Sequence, residues 1–320
     1  MLRLMAPKGE RLLGSRNLTA TFGSSECNVL VSLANMGLPT GFITLLPDNE
    51  ITHSFKKELR SFEVDTNFII KKEGRFGVYY IEQGSNMRST KVIYDRDYSS
   101  VSLGKPGDID WEKAFEDTYW YHISGITPAL SESLCDLAFE SVLCADKMNI
   151  PISFDLNYRG KLWKWGKSPC DIIPKFTEKA SVIIGTEEDF NTCLGVEGKS
   201  PNEILSKAKE ICPKAETLSI INVQSKSANY KIWKGEMLFK GNYYESEEYT
   251  IYNIYDGIGG GDAFSAGLIY AQNNFDEGES IINFAICAGL MKYTFVGDYN
   301  LATVEDILNV MKGNKGSINR

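Results

Sequence analysis

The residues best suited to do chemistry lie close together near the carboxyl end of the chain, in the run Asp256-Gly257-Ile258-Gly259-Gly260-Gly261-Asp262. Three consecutive glycines remove every Cβ from a helix entrance. The free N–H groups of the first turn can then converge on an anion, aided by the positive end of the helix dipole. Asp262 fits this site in two ways. Beside an anion pocket, it can take a proton from an alcohol while the amides of Gly259, Gly260 and Gly261 hold a phosphoryl group in transfer. Alternatively, it is a helix N-cap over a glycine turn, a place where Asp is favoured. The run is not a P-loop, because no Gly-Lys-Ser/Thr follows it.

The flanking elements have to position these residues. Tyr249 to Tyr255 reads as a strand and Asp262 to Tyr270 as a helix. After Pro106, β-rich runs alternate with amphipathic stretches. Trp120-Tyr121-His122-Ile123 precedes a helix opening near Ser131, and Ile152 to Asp155 follows. Ser181 to Gly185 then leads into a helix from Glu187, and Leu218 to Val223 into the next segment. Strands separated by helices predict βαβ units and a parallel sheet covered on both faces. Residues 26–45 fit the scheme: a helical period over Asn28 to Ala34, a stop at Gly37, and a strand at Gly41 to Leu45. From Phe62 to Leu103 the texture is that of an antiparallel meander, with a turn at Gly84-Ser85-Asn86. The expected division is an α/β core over 26–66 and 104–320, and a β-rich lid over 6–25 and 67–103. Ligands of such sheets bind beyond the carboxyl ends of the strands.

Composition narrows the function classes. The 320 residues are 43% hydrophobic and 12% aromatic, which describes a folded globular chain. A net charge of −8, spread along the chain, offers no basic face for a nucleic acid. No apolar run approaches a membrane span, and Pro7 with its charged neighbours interrupts any leader. The seven cysteines are scattered and odd in number, with no C-x-x-C pair. They read as reduced, mostly buried thiols of a cytoplasmic protein rather than a zinc site or disulfide scaffold. His122 reads as a strand residue, and His53 carries no signal.

Asp256 to Phe264 resembles the signature Asp-Thr-x-Gly-Ala-Gly-Asp of the ribokinase-like (phosphofructokinase-B) carbohydrate kinases, with Gly257 and Gly260 as departures. Three further segments are similar to one branch, the 2-keto-3-deoxygluconate kinases. Phe22-Gly23-Ser24-Ser25-Glu26-Cys27-Asn28 resembles its Gly-Gly-Ala-Glu-x-Asn loop. Phe154 to Trp163 resembles its Asp-x-Asn-x-Arg-x-x-Leu-Trp loop, and Gly297-Asp298-Tyr299-Asn300-Leu301 its late Gly-Asp-Phe-Asn-Leu segment.

The resemblance implies a three-layer α/β/α core with a mainly parallel sheet and a small β-sheet lid. It also implies ATP-dependent phosphorylation of the primary hydroxyl of a sugar acid, 2-keto-3-deoxygluconate first, with ATP and Mg²⁺. A homodimer joined through the lid goes with it. Asp262 becomes the base. Gly23, Ser24, Asn28, Tyr80, Tyr94, Arg96, Ile126 and Arg159 become substrate contacts, Arg159 gripping the acid or keto end bidentately. Arg159 also reads as a surface arginine paired with a nearby Asp, and Tyr80 as cross-strand packing. Thr186 and Asp189 stand where the family has an Asn-x-x-Glu tied to magnesium and phosphate. Ser225 and Lys226 stand near its nucleotide phosphates. The family usually begins with a strand ending in Gly-Glu ahead of the stretch similar to Met1-Leu2-Arg3-Leu4. The resemblance therefore implies a truncated or late start that leaves ladder groups unpaired. A kinase for a neutral sugar or nucleoside, and a non-catalytic sugar-acid or nucleotide sensor, are the alternative functions.

Overall fold

The computed structural model describes residues 1–313. Among the described residues, thirteen strands lie in three sheets. In chain order they are β1 (Leu2–Met5), β2 (Thr19–Phe22), β3 (Thr44–Leu46), β4 (Ile69–Lys71), β5 (Val78–Glu82), β6 (Lys91–Asp95), β7 (Tyr121–Ser124), β8 (Ile152–Asp155), β9 (Val182–Gly185), β10 (Thr217–Ser227), β11 (Tyr230–Phe239), β12 (Asn242–Glu245) and β13 (Tyr249–Tyr252). The central sheet runs β12-β11-β10-β9-β8-β7, with β13 also paired to β11. From β7 to β10 neighbouring strands are parallel, and the β10–β11 hairpin adds an antiparallel margin.

Alternate residues along these strands serve opposite layers. Ile183, Leu218 and Ile220 pack with Phe154, Phe176 and Phe190 under one set of helices. Val182, Ile184 and Ile221 pack with Trp233, Phe264 and Phe284 on the other face. Both faces are buried, so the strands read as continuous apolar runs. This is the α/β/α core expected from the alternation of strands and helices.

The helix boundaries follow local chemistry. Ser131 accepts a bond from the Leu134 N–H at the head of Glu132–Lys147. Thr186 and Asp189 cap Glu187–Leu194 reciprocally. Gly37, at φ +86, follows the helix Ser25–Asn35. Five of the seven cysteines are buried, and none is in a disulfide. No helix of the described residues is long and apolar enough to cross a membrane.

A second sheet, ordered β2-β1-β5-β6, leans against the core. It differs from the meander expected over Phe62 to Leu103. Only β5 and β6 of that stretch form an antiparallel pair. β4 pairs parallel with β3 in a separate two-stranded sheet, and β5 takes β1 as a parallel partner. Leu2–Met5, outside the segments assigned to the lid, is thus an inner strand of this sheet. A period of two specifies which face is buried but not which strand lies alongside. The strand at Gly41 to Leu45 also differs in its place. It forms as Thr44–Leu46 outside the central sheet, and β3 and β7 each pair on one side only among the described residues.

Arg3 locks the second sheet to the core. Its fully buried guanidinium reaches Asp256 Oδ2 and Asp298 Oδ1, each at 2.5 Å. Removing the arginine leaves two carboxylates buried together, a defect that typically costs about 3–5 kcal/mol. Arg3→Met is therefore expected to lower unfolding stability by about that amount, measured by urea titration. An unchanged midpoint and slope would show that the pair does not hold the two sheets together.

Candidate active site

The site is built on two helix entrances that face each other beyond the carboxyl ends of β7, β8 and β9. One is the head of Ser25–Asn35 and the other the head of Gly260–Gln272. A cleft of about 1200 Å³ joins them and is lined by Gly23, Ser24, Asn28, Tyr94, Arg96, Ile126, Asp155, Asn157, Arg159 and the run Gly257 to Asp262.

Gly259 sits at the N-cap of the second helix with φ +87, in the left-handed region. A Cβ there would lie 2.1 Å from the Asp298 carbonyl oxygen, so only glycine fits. No side chain caps this helix, and its first intrahelical acceptor, the Gly259 carbonyl, serves the Ala263 N–H. The N–H groups of the preceding turn have no intrahelical acceptor, which leaves free donors beside the cleft, an arrangement that suits an anion.

Asp262 does not act as the cap. Its carboxylate accepts from Ser25 Oγ at 2.9 Å and from Asn28 Nδ2 at 2.7 Å, both from the opposing helix. Asn157 Nδ2 donates to Ser25 Oγ at 2.9 Å, so three side chains aim one carboxylate. Burial raises the Asp262 pKa to about 6, with the Asn28 and Ser25 hydrogen bonds working the other way. Asp155, at the end of β8, accepts from the backbone and side-chain nitrogens of Asn157. Burial, then the charges of Asp262 and Asp189, push its carboxyl well above the ordinary range.

The candidate substrate contacts divide. Gly23 packs against Asp298 with no room for a Cβ, which would meet Asp298 Oδ2 at 2.3 Å. Ser24 lines the cleft, and its N–H donates to Asn28 Oδ1. Asn28, expected to touch substrate, spends its side chain on Ser24 and Asp262. Ile126 opens a short helix after β7 and lines the cleft. Arg159 is exposed, bonds only the Tyr158 carbonyl, and has no ion-pair partner among the described residues. It is thus a surface arginine that makes no close ion pair with an Asp, although its charge works to lower the pKa values of Asp155 and Asp262. Tyr94 and Arg96 line the cleft, and the buried Arg96 Nε has no hydrogen-bond partner among the described residues.

Tyr80 falls on the other side. In the β5–β6 ladder Tyr79 stands opposite Tyr94, and Tyr80 opposite Ile93. Alternation therefore turns Tyr79 toward the cleft and Tyr80 away from it. Tyr79 donates to Asp298 Oδ2 at 2.5 Å.

On the phosphate side, Thr186 and Asp189 line the cleft, but their side chains are engaged. Asp189 Oδ2 accepts from Thr186 N and Oγ1, and Oδ1 from the Tyr158 N–H. Ser225 and Lys226 are exposed on the far half of β10 and do not line the cleft.

Sequence reasoning missed Arg3, Ser25, Tyr79, Asp155, Asn157 and Lys292. Arg3 carried a signal, as a lone charge in an otherwise apolar strand, Leu2-Arg3-Leu4-Met5. Asp155 and Asn157 lay inside the Phe154 to Trp163 motif. Tyr79 and Lys292 carried none that local pattern could separate from packing.

Three relatives bear on this geometry. A 2-dehydro-3-deoxygalactonokinase of Haloferax volcanii is 28% identical over 320 residues, covering 100% of this chain and 96% of that protein. A 5-dehydro-2-deoxygluconokinase of Geobacillus kaustophilus is 26% identical over 258 residues, 80% of this chain and 74% of that protein. The crystal structure of a 2-dehydro-3-deoxygluconokinase from Thermotoga maritima superposes with a TM-score of 0.92 at 33% identity, covering 98% of this chain and 97% of that one. The model of the pfkB family carbohydrate kinases matches residues 4–300. A helix entrance stripped of side chains, a carboxylate aimed across it and a match over nearly the whole chain agree: this protein is a sugar kinase and belongs to the pfkB family of carbohydrate kinases.

Proposed function

We propose that the protein transfers the γ-phosphoryl group of ATP to the primary hydroxyl of a keto-deoxy sugar acid, with 2-keto-3-deoxygluconate as the first substrate. The observation that carries this reading is the pairing of an oriented Asp262 with two arginines, Arg159 and Arg96, that line the cleft and make no close ion pair among the described residues. A guanidinium left open in a cleft suits a substrate carboxylate, which a neutral sugar does not offer. The three relatives are named for sugar acids of this kind, and two of those names differ only in the galacto or gluco configuration.

In this mechanism the N–H groups at the Gly260 helix entrance receive the charge on the transferred phosphoryl group. Asp262, near its ionised form at neutral pH, takes the proton from the attacking hydroxyl. Ser25 and Asn28 hold it in line. The β2-β1-β5-β6 sheet brings Tyr94 and Arg96 over the sugar and keeps out water that would hydrolyse ATP. Among the described residues no cluster of three or more His, Cys, Asp or Glu side chains forms an all-protein metal cage. Mg²⁺ takes one or two carboxylates plus phosphates and would be held by the nucleotide phosphates with Asp155, since both oxygens of Asp189 are taken by Thr186 and Tyr158. Bound with the nucleotide, it would supply positive charge to neutralise the phosphate oxygens.

We read the enzyme as cytoplasmic and as a homodimer through the lid sheet, supported by the exposed Ile93, Leu18 and Met87 on that sheet and its loops. Static light scattering should give twice the chain mass, and Ile93→Glu should halve it. A wild-type monomer removes the dimer.

The base role predicts that Asp262→Asn loses about 10²–10⁴ in kcat, read by coupled ADP release. It also predicts that wild-type turnover declines as pH falls through about 6, because protonation removes the base. Near-normal turnover in the variant rules the role out. Arg159→Ala should raise KM for 2-keto-3-deoxygluconate by about 10- to 100-fold, the worth of a hydrogen-bonded charge. Rates with fructose or ribose should stay as they were. A wild type that prefers the neutral sugars overturns the sugar-acid assignment.

A further inference from the structure

Beneath the glycine loop lies a side chain that the mechanism above does not use. Lys292, the last residue of the helix Gly278–Lys292, is fully buried. Its Nζ lies 3.2 Å from the Asp256 carbonyl oxygen, 3.4 Å from the Phe295 carbonyl oxygen and 4.0 Å from Asp256 Oδ1. A buried ammonium is retained only where oxygens replace its water. The carbonyl and carboxylate of Asp256 and the carbonyl of Phe295 form such a shell. These hard oxygen donors also suit a simple monovalent cation, and potassium and ammonium are close to a lysine head in size.

The shell acts on the anion loop through the peptide it holds. The C=O and N–H of a trans peptide point in opposite directions, and no peptide among the described residues is cis. Holding the Asp256 carbonyl on Lys292 therefore turns the Gly257 N–H away from the ammonium, and Gly257 lines the cleft. The carboxylate of Asp256 is fixed in turn by Arg3 and by the N–H groups of Ile258 and Gly297.

We propose that Lys292 is a positioning residue that serves the anion loop as a built-in monovalent cation, filling the Asp256–Phe295 oxygen cage and making turnover independent of any added monovalent ion. Burial brings the ammonium down to about 8, with Asp256, Asp298 and Asp262 raising it and Arg3 lowering it, so it stays charged at neutral pH. The proposal rests on the kinase reading, since its main readout is ADP release.

The test compares turnover in buffers whose only monovalent cation is tetramethylammonium, potassium or ammonium, with ATP, Mg²⁺ and 2-keto-3-deoxygluconate. The wild type should turn over equally in all three. Lys292→Ala should lose about 10- to 100-fold in kcat in tetramethylammonium, the usual effect of losing a supporting contact. It should recover in potassium or ammonium, with little change in sugar KM. Lys292→Met, whose uncharged chain fills the same space, should stay low in every buffer. A wild type that itself needs potassium, a Lys292→Ala that is fully active in tetramethylammonium, or one that potassium and ammonium leave inactive overturns the proposal. The melting temperature of Lys292→Ala gives a reading free of catalysis, since a bound cation raises it. A rise with potassium while the wild type releases no ADP means that the cage stands and the substrate reading fails. An active wild type with no cation effect on either variant measurement means the reverse.

Discussion

The structure hangs on a small group of buried charges. Arg3 reaches Asp256 and Asp298, and Lys292 holds the Asp256 carbonyl from below. Two cations and two carboxylates balance within one buried pocket. Each such charge is tolerable only because its partners are present, so the group is held together or lost together. It joins three parts of the chain that are distant in sequence: an inner strand of the lid sheet, the loop before the Gly260 helix, and the loop at Gly297.

That group also explains the glycines. Asp298 is held so tightly by Arg3 and Tyr79 that its side chain fills the space a Cβ would need at Gly23, and its carbonyl does the same at Gly259. Close backbone approach at these two points lets the two helix entrances face each other. The cleft between them is then lined by two acids, Asp155 and Asp262, and two arginines, Arg96 and Arg159, and the charge of Arg159 acts on both acids. Burial keeps Asp262 easier to protonate than a surface carboxylate, which suits a group proposed to exchange a proton.

Several side chains do different work from that implied by their place in a motif. Asn28 aims Asp262, and Thr186 with Asp189 closes a helix end. Ser225 and Lys226 lie on an exposed stretch of β10, away from the cleft. A residue type can be read from a motif, but its hydrogen bonds are settled by whichever neighbour arrives first in space.

Local pattern was enough for the architecture of the core. Apolar runs of strand length, separated by capped amphipathic stretches, leave few alternatives to a parallel sheet between two helical layers. The glycine run likewise marked a bare helix entrance, because loss of Cβ atoms and a helix start are both local properties. Whether Asp262 capped its helix or faced the cleft was not local. Its partners Ser25 and Asn28 lie more than two hundred residues away, and only packing of the two helices decides the matter. The same holds for the lid. Alternation marked the Tyr79–Tyr80 stretch as a strand, but the side of the sheet that meets the cleft depends on β1 and on Arg3 finding two buried carboxylates. Charges that neutralise each other across the fold leave no periodic trace in the chain, so tertiary structure alone reveals them.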